Sequence, residues 1–390
     1  MTLKRRGNDD HLRFGIMWPN TMTQNITSRA VADANPDVLD IANHIPAARA
    51  AEAVGFDYLF LADTYAANPP ANIAAGHGEP RLYAPIWAAA LLAATEHIGV
   101  VSTLHMRYLP PVVIARLGAN LDVLSGGRWG WNAVPGAKAD EHSLFGLEEE
   151  TDTDRRYRMA REAIRAIKAF WSAGIGERVE FDGEFFKLSG VLAGPRPLQR
   201  PFPPIFNPGV SPAAMDLIVA EADYGFTAIV DDLDEVAATA RALSERAAAA
   251  GRDPREVEVA GSIAVVLGDT EEAAQRKYRE LLDSVDIGAA EGFASFFLRS
   301  SSTYQRLFEG MPKEEQVRRI GAGAGSSVLV GTPEQVAERF SRIREATGVR
   351  QFLTLPFHWS PEEFTAMGTV FEGLARRGDW VHPSERGWSW

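Results

Sequence analysis

The chain contains no cysteine among its 390 residues. That excludes a disulfide scaffold, thiolate zinc sites, iron–sulfur clusters and a cysteine nucleophile. It is compatible with a reducing, cytoplasmic compartment. No apolar run reaches the roughly 18 residues that a membrane span needs, so no membrane segment is expected. Basic residues are the minority. Lys and Arg number 40 against 52 Asp and Glu, a formal charge of −12. A generic nucleic-acid binder would show a basic face, so nucleic acid is not an expected partner. A single local phosphate site remains compatible with this balance. Residues 1–11 are charged and lack an apolar signal region, which predicts a flexible tail. No internal repeat or low-complexity linker divides the chain.

What the sequence has is alternation. Strand-like runs occur at Leu12–Trp18, Asp57–Ala62, Ile98–Thr103, Arg128–Val134, Pro204–Asn207, Gly225–Val230, Val257–Leu267 and Gln351–Pro356. Several are continuously apolar, as strands buried on both faces should be. Helical periodicity lies between them, at Leu39–Ala53, Pro85–Thr95, Val112–Leu124, Arg155–Phe170, Ala213–Glu221, Leu233–Ala250 and Pro333–Arg344. Strands alternating with helices give a parallel sheet, and eight of them close a (β/α)8 TIM barrel. The expectation is one α/β barrel over residues 1–390, and the competing arrangement is an open doubly wound sheet with a second domain. Two insertions break the alternation. Residues 178–190 read as a hairpin about Asp182-Gly183. Residues 286–327 read as a lid-like insertion ending in Gly321-Ala-Gly-Ala-Gly325, or as a surface excursion with its own helix. Residues 376–390 form a C-terminal tail carrying Trp388 and Trp390.

Barrel chemistry sits at the C-terminal ends of the strands. That rule selects Met17, Trp18 and Asn20 after the first strand, and Asp63 and Tyr65 after the second. Thr103, His105 and Arg107 follow the third; Trp131, Asn132 and Pro135-Gly136 the fourth. Asn207-Pro208-Gly209 follow the fifth, and His358 and Trp359 the last. Asp63 has no sequence-adjacent carboxylate, so a glycosidase pair is unsupported. His105 and His358 without a nearby carboxylate do not make a metal site, and none is expected. Instead, Trp18, Tyr65, Trp131, Asn132, Phe206, Asn207, Phe226, Phe357 and Trp359 suit a flat conjugated ligand, although Phe206 and Phe226 read better as barrel core. The run from Pro204 to Ala214 passes from strand through a glycine turn into a helix. Ser211 is suited to the N-cap and Pro212 to the first helical position. Free backbone N–H groups there would hold a phosphate. Gly331-Thr-Pro-Glu-Gln335 is a capping box with a structural role.

These residues together resemble a known family. Leu109-Pro-Pro-Val-Val-Ile-Ala-Arg-Leu-Gly-Ala-Asn-Leu-Asp-Val-Leu-Ser-Gly-Gly-Arg-Trp-Gly-Trp-Asn-Ala-Val-Pro-Gly136 is similar to the third helix, Ser-Gly-Gly-Arg turn and fourth strand of bacterial luciferase-like flavin monooxygenases. Arg155-Arg-Tyr157, Asp182-Gly-Glu-Phe-Phe186 and Leu329-Val-Gly-Thr-Pro-Glu-Gln-Val-Ala-Glu338 match later family elements in order. The chain most resembles the subgroup with pyrimidine and dimethyl sulfone monooxygenases.

The resemblance implies reduced FMN at the barrel mouth, delivered by a transient partner flavin reductase that draws on NAD(P)H. It implies O2 as co-substrate, carried as a flavin peroxide or on flavin N5. A homodimer or homotetramer is implied as well. Thr103 and Asn132 match residues that flank flavin N5 and shape the oxygen pocket. Tyr157 matches a contact to the ribityl-phosphate arm, and Gly209, Val210 and Ser211 match the phosphate loop. His105 is the candidate acid/base or substrate anchor. Trp18, Asp63, Tyr65, Arg107 and His358 are the further substrate candidates. The sequence departs from the pyrimidine enzyme at Ala137, where that enzyme has tryptophan, and at Ala62-Asp63-Thr64-Tyr65. The flavin chemistry therefore carries over and the substrate does not: an N-heterocycle, an organosulfur compound or similar is expected. The same barrel family contains F420-dependent hydride-transfer enzymes, and a non-catalytic flavin binder is the alternative from another class.

Overall fold

The computed structural model describes residues 10–136, 138–300 and 308–388. Eight parallel strands close a barrel. They are β1 (Arg13–Met17), β2 (Tyr58–Leu61), β3 (Gly99–His105), β4 (Trp129–Val134), β7 (Ile205–Asn207), β8 (Tyr224–Ala228), β9 (Glu258–Leu267) and β11 (Gln351–Leu355). β9 pairs with β8 through residues 258–262 and with β11 through 260–264, which closes the ring.

A ninth parallel strand, β10 (Val328–Gly331), is an addition to the eight read from the sequence. It pairs with Ala264–Leu267 of β9. It takes over the β9 edge where β8 stops, since Ile229 N–H donates to Ser262 O and Ser327 N–H to Ile229 O. Four residues behind a glycine run give too short a pattern to declare a strand. The expected hairpin forms as β5 (Val179–Asp182) against β6 (Lys187–Gly190), antiparallel. Glu162 fastens its turn by accepting from the N–H groups of Glu184, Phe185 and Phe186.

Strand alternation divides the core in two. Phe14, Ile16, Leu59, Leu61, Trp129 and Trp131 point outward and pack against the surrounding helices. Tyr58, Phe60, Val101, Phe206, Tyr224 and Leu353 point inward and fill the barrel with Phe226, as expected for Phe206 and Phe226. Phe206 stacks on Tyr224 with ring centroids 4.4 Å apart. The Tyr58 ring lies directly across β1 at Gly15, where a Cβ would stand 2.3 Å from it. The helix Pro361–Arg376, absent from the sequence reading, completes the outer layer against Ile41–Val54.

The described residues between 286 and 327 are mostly helical, with helices Ile287–Ser300 and Lys313–Gly321; residues 301–307 lie outside the described residues. Ala290, Ala294, Val317 and Ile320 bury with Ile26 and Val31 in a second core beside the barrel. The C-terminal segment is docked. Trp380 is buried and stacks on Phe371 at 5.0 Å, and a 3-10 turn spans Pro383–Arg386. There Arg386 meets Asp57 at 2.5 Å, with side chains 6% and 1% exposed. The other Asp57 oxygen accepts from Phe14 N–H at 2.8 Å, so the pair clasps the end of the barrel opposite the mouth. Residues 1–9 and Trp390 lie outside the described residues, while Asp10 is pinned to Arg350 at 2.6 Å.

Removing one partner of a buried pair leaves an uncompensated charge, which costs about 3–5 kcal/mol. Arg386→Ala should therefore lower the unfolding free energy by about that amount. Urea denaturation measures it; a loss below about 1 kcal/mol, the range of an exposed pair, would contradict the clasp.

Candidate active site

The barrel mouth is built from side chains that continue the inward-facing rows. On β3 the row is Val101, Thr103, His105, and on β4 its partner at Thr103 is Asn132. Asn132 Nδ2 donates to Thr103 Oγ1 at 2.9 Å, and Thr103 Oγ1 donates to Leu61 O at 2.8 Å. This relay ties the ends of β2, β3 and β4 together. Asn132 Oδ1 is buried and has no hydrogen-bond partner. A buried acceptor without a donor costs free energy unless a ligand supplies one.

A second wall rises from the loops after β2 and β4. His105 Nε2 stands 3.9 Å from Glu141 Oε1, the side chains being 4% and 2% exposed. Glu141 comes from the short helix Ala139–Leu144. Its carboxylate accepts from Thr64 Oγ1, from Tyr65 N–H at 2.8 Å and from Tyr108 Oη at 3.3 Å. The Tyr65 and Tyr108 rings lie 5.2 and 5.6 Å from His105. The sequence reading assigned His105 no nearby carboxylate; the structure corrects this, because Glu141 reaches it from 36 residues downstream through the fold. Burial holds the His105 imidazole down at about 4, against the pull of Glu141, so it is neutral at neutral pH. Glu141 itself stays below the usual carboxylate range through His105, Thr64 and Lys138, although burial opposes them. Among the described residues no three His, Asp or Glu side chains gather as a metal would require.

The residues expected to form a phosphate loop also converge. Ser211 caps the helix Pro212–Glu221, its side chain accepting from Ala214 N–H. Tyr157, on the neighbouring helix Thr153–Ser172, faces Ser211; burial raises its phenol, against the opposing pull of Arg156 and Ser211. At Gly209 an added Cβ would stand 2.8 Å from Tyr157 Oη and 2.6 Å from Ala214 Cβ. The loop therefore passes closer to the tyrosine than any other residue would allow. The N–H groups of Gly209, Val210 and Ser211 donate to nothing among the described residues. Asn207 donates to Ala133 O at 2.9 Å and keeps a buried, partnerless Oδ1 beside this loop.

Other candidates stand elsewhere. Trp18 is fully buried on the outward face of β1; its indole donates to His44 Nδ1 at 3.1 Å and its ring packs on Phe364. Strand alternation turns it away from the mouth, so it does not line a substrate pocket. Trp131 and Trp359 are outward-packed in the same way. Asp63 is committed to the backbone, accepting from Thr64 and Ala84 N–H groups at 2.8 Å each. Burial raises its carboxyl to about 6. Arg107 reaches Met159 Sδ at 3.5 Å and Glu148 O at 3.4 Å. His358 meets Asn35 Oδ1 at 3.2 Å, and no contact joins it to His105 among the described residues. Ala137 lies outside the described residues. The sequence reading missed Glu141, Tyr108 and Lys138, whose Nζ donates to Thr64 Oγ1 at 2.8 Å. Their only signal was a position just beyond a strand end.

A (β/α)8 barrel with an amide–hydroxyl relay and a glycine loop of unpaired N–H groups at its mouth is a scaffold for a ligand held at the strand ends. Residues 12–351 match the luciferase-like monooxygenase family, and the chain belongs to it. It is 30% identical over 318 residues to the FMNH2-dependent dimethylsulfone monooxygenase of Pseudomonas putida, covering 81% of this chain and 83% of that one. It is 27% identical over 301 residues to the pyrimidine monooxygenase of Allorhizobium ampelinum, covering 76% and 77%. A solved riboflavin lyase with modified FMN and riboflavin superposes with a TM-score of 0.83 at 25% identity, over 95% of this chain and 93% of that one. Among the described residues no helix is long and apolar enough to cross a membrane.

The buried ionisable groups predict a pH signature. His105 and His77 are each depressed from 6.5 to about 4 by burial. Their contribution is full above pH 6.5 and is lost as the pH falls toward 4, because the unfolded chain binds those protons first. Asp63 runs the other way: raised from 3.8 to about 6, it favours the folded state at low pH and loses that contribution as the pH rises through 6. Near pH 5, His105→Asn should flatten, and Asp63→Asn steepen, the fall of stability with acid by about 1.4 kcal/mol per pH unit. Denaturation at several pH values checks both; equal slopes in all three proteins would refute the burial argument.

Proposed function

We propose that the protein is the oxygenating component of a two-component system. It takes reduced FMN from a separate flavin reductase, which draws on NAD(P)H, and uses O2 to oxygenate a small organic molecule. The single observation that supports this most is the buried, partnerless Oδ1 of Asn132 beside Thr103 at the mouth. A reduced flavin carries ring N–H donors, which this acceptor suits. The bound flavin supplies the activation of O2, as cofactors carry the hard chemistry.

The chain's own residues do the rest. Gly209, Val210, Ser211 and Tyr157 would hold the phosphate arm, with the free N–H groups and the helix N-terminus favouring its charge. Thr103 and Asn132 would orient the ring and shape the space for oxygen. His105, neutral and shielded by Tyr65 and Tyr108, can donate or accept one hydrogen bond to the substrate without bringing a charge into the site. The aromatic wall excludes water, which strengthens each of these contacts.

Removing a preorganised hydrogen-bonding group from such a site, here the Asn132 acceptor or the Thr103 hydroxyl that holds it in place, costs about 2.7–4 kcal/mol, the range found for oxyanion-site groups. Asn132→Ala and Thr103→Ala should therefore lower product formation by about a hundredfold or more, while reduced flavin still consumes O2. Product per O2, measured with a reductase, FMN and 18O2 over a substrate panel, reports the coupling. Full coupling in both variants would overturn the assignment of these residues. Tight F420 binding with no FMN binding would overturn the cofactor. Tight FMN binding with no flavin-dependent O2 consumption would reduce the protein to a flavin carrier.

A further inference from the structure

Arg81 stands outside every residue set so far assigned. It sits in the loop after β2, over the ends of β1 and β2. Its Nη1 reaches Asn20 Oδ1 at a long 3.4 Å, and Asn20 in turn donates to Ala62 O at the end of β2. The next residue locks the loop there, Leu82 N–H donating to Asn20 O at 2.8 Å. Arg81 Nε is buried without a partner. No carboxylate oxygen lies within 4.0 Å of the guanidinium among the described residues. Four of its five N–H groups are thus without a protein acceptor.

The neighbouring carboxylates do not pair with it. Asp63 holds the N–H groups of Thr64 and Ala84. Glu141 holds Thr64, Tyr65 and Tyr108. Glu79 lies near enough to be felt as a charge but makes no contact. Lys138, the other cation of this wall, is bonded to Thr64. Arg81 is half-buried, and a guanidinium whose Nε is out of water without a partner or a paired carboxylate is costly. Its planar fork matches a two-oxygen anion better than any other side chain does.

We propose that Arg81 is a specificity residue: the substrate carries an anionic group, a carboxylate or sulfonate, which docks on the Arg81 fork beside the His105–Glu141 wall. The proposal rests on the monooxygenase reading only in calling the bound molecule the substrate. It places this molecule among organic acids, distinct from neutral sulfones or neutral heterocycles. The flavin phosphate is the other anion at the mouth, and its loop is at Gly209–Ser211.

The test is calorimetric titration of the full-length protein with matched pairs: succinate and succinamide, benzoate and benzamide, methanesulfonate and dimethyl sulfone. The acids should bind, and their neutral counterparts should bind about 30-fold more weakly. Arg81→Gln should erase that preference, and Arg81→Lys should keep part of it, because it retains the charge without the fork. The preference for FMN over riboflavin should be the same in all three proteins, which also shows that the variants fold. Failure of every acid to bind, equal binding of acid and neutral partner, or an acid preference that survives Arg81→Gln overturns the proposal. So does an Arg81→Gln protein that no longer prefers FMN over riboflavin, since Arg81 would then serve the phosphate. Acid binding is read without flavin turnover, so absence of O2 chemistry would count against the proposed function alone.

Discussion

The mouth of this barrel depends on one buried carboxylate. Glu141 accepts from a hydroxyl, a backbone N–H and a phenol that come from the loops after β2 and β3. It also faces the imidazole of His105. A buried anion is tolerated only where its lone pairs are occupied and a counter-charge is near. Both conditions hold here, with Lys138 as the cation. The loops are therefore not free to choose their conformations. Tyr65 and Tyr108 are brought together against His105, their rings 5.7 Å apart, and Phe145 stacks on Tyr108 at 4.5 Å.

Around that anchor the polar groups fall into two kinds. Asp63, Glu141 and Lys138 are engaged by their own loops and serve as scaffold. Asn132 Oδ1, Asn207 Oδ1 and the loop N–H groups at Gly209–Ser211 are held by the strand ends and are left without partners. Folded chains rarely leave buried polar atoms unpaired. Their position at the strand ends, where barrels place ligands, gives the exceptions a chemical purpose. Residues with saturated hydrogen bonds hold the shape, and those with an unpaired donor or acceptor are open to a ligand at the mouth.

The sequence made the architecture legible because strand and helix periods differ. Runs such as Ile98–Thr103 announced buried strands, and Ser211-Pro212 announced a helix start. Thr103 and Asn132 were reachable by the strand-end rule and by the family resemblance together. Trp18 was misplaced because that rule counts position and ignores facing. Alternation from Phe14 and Ile16 would have turned it outward. Glu141 carried no more than its position beyond a strand end. It works through contacts with residues far away in the chain, and nothing local marks a charged residue as buried.

The described part of the insertion at residues 286–327 is bonded to the barrel's loops at both ends. Asp286 N–H donates to Thr27 O at 2.7 Å, Thr27 N–H to Gly321 O at 2.8 Å, and Gly323 N–H to Asn25 O at 2.7 Å. Asn72 bonds Ala289 O at 3.0 Å, and Phe293 packs edge-on to the buried ring of His77 at 4.4 Å. Each end of the insertion is thus tied to the loop after β1, and its first helix to the loop after β2. Each such bond contributes about 1 kcal/mol net. The apolar surface of Ala290, Ala294, Val317 and Ile320 is buried as well. The described helices stand as a wall beside the mouth in this structure, and the glycines at 321–325 make the tight return to β10.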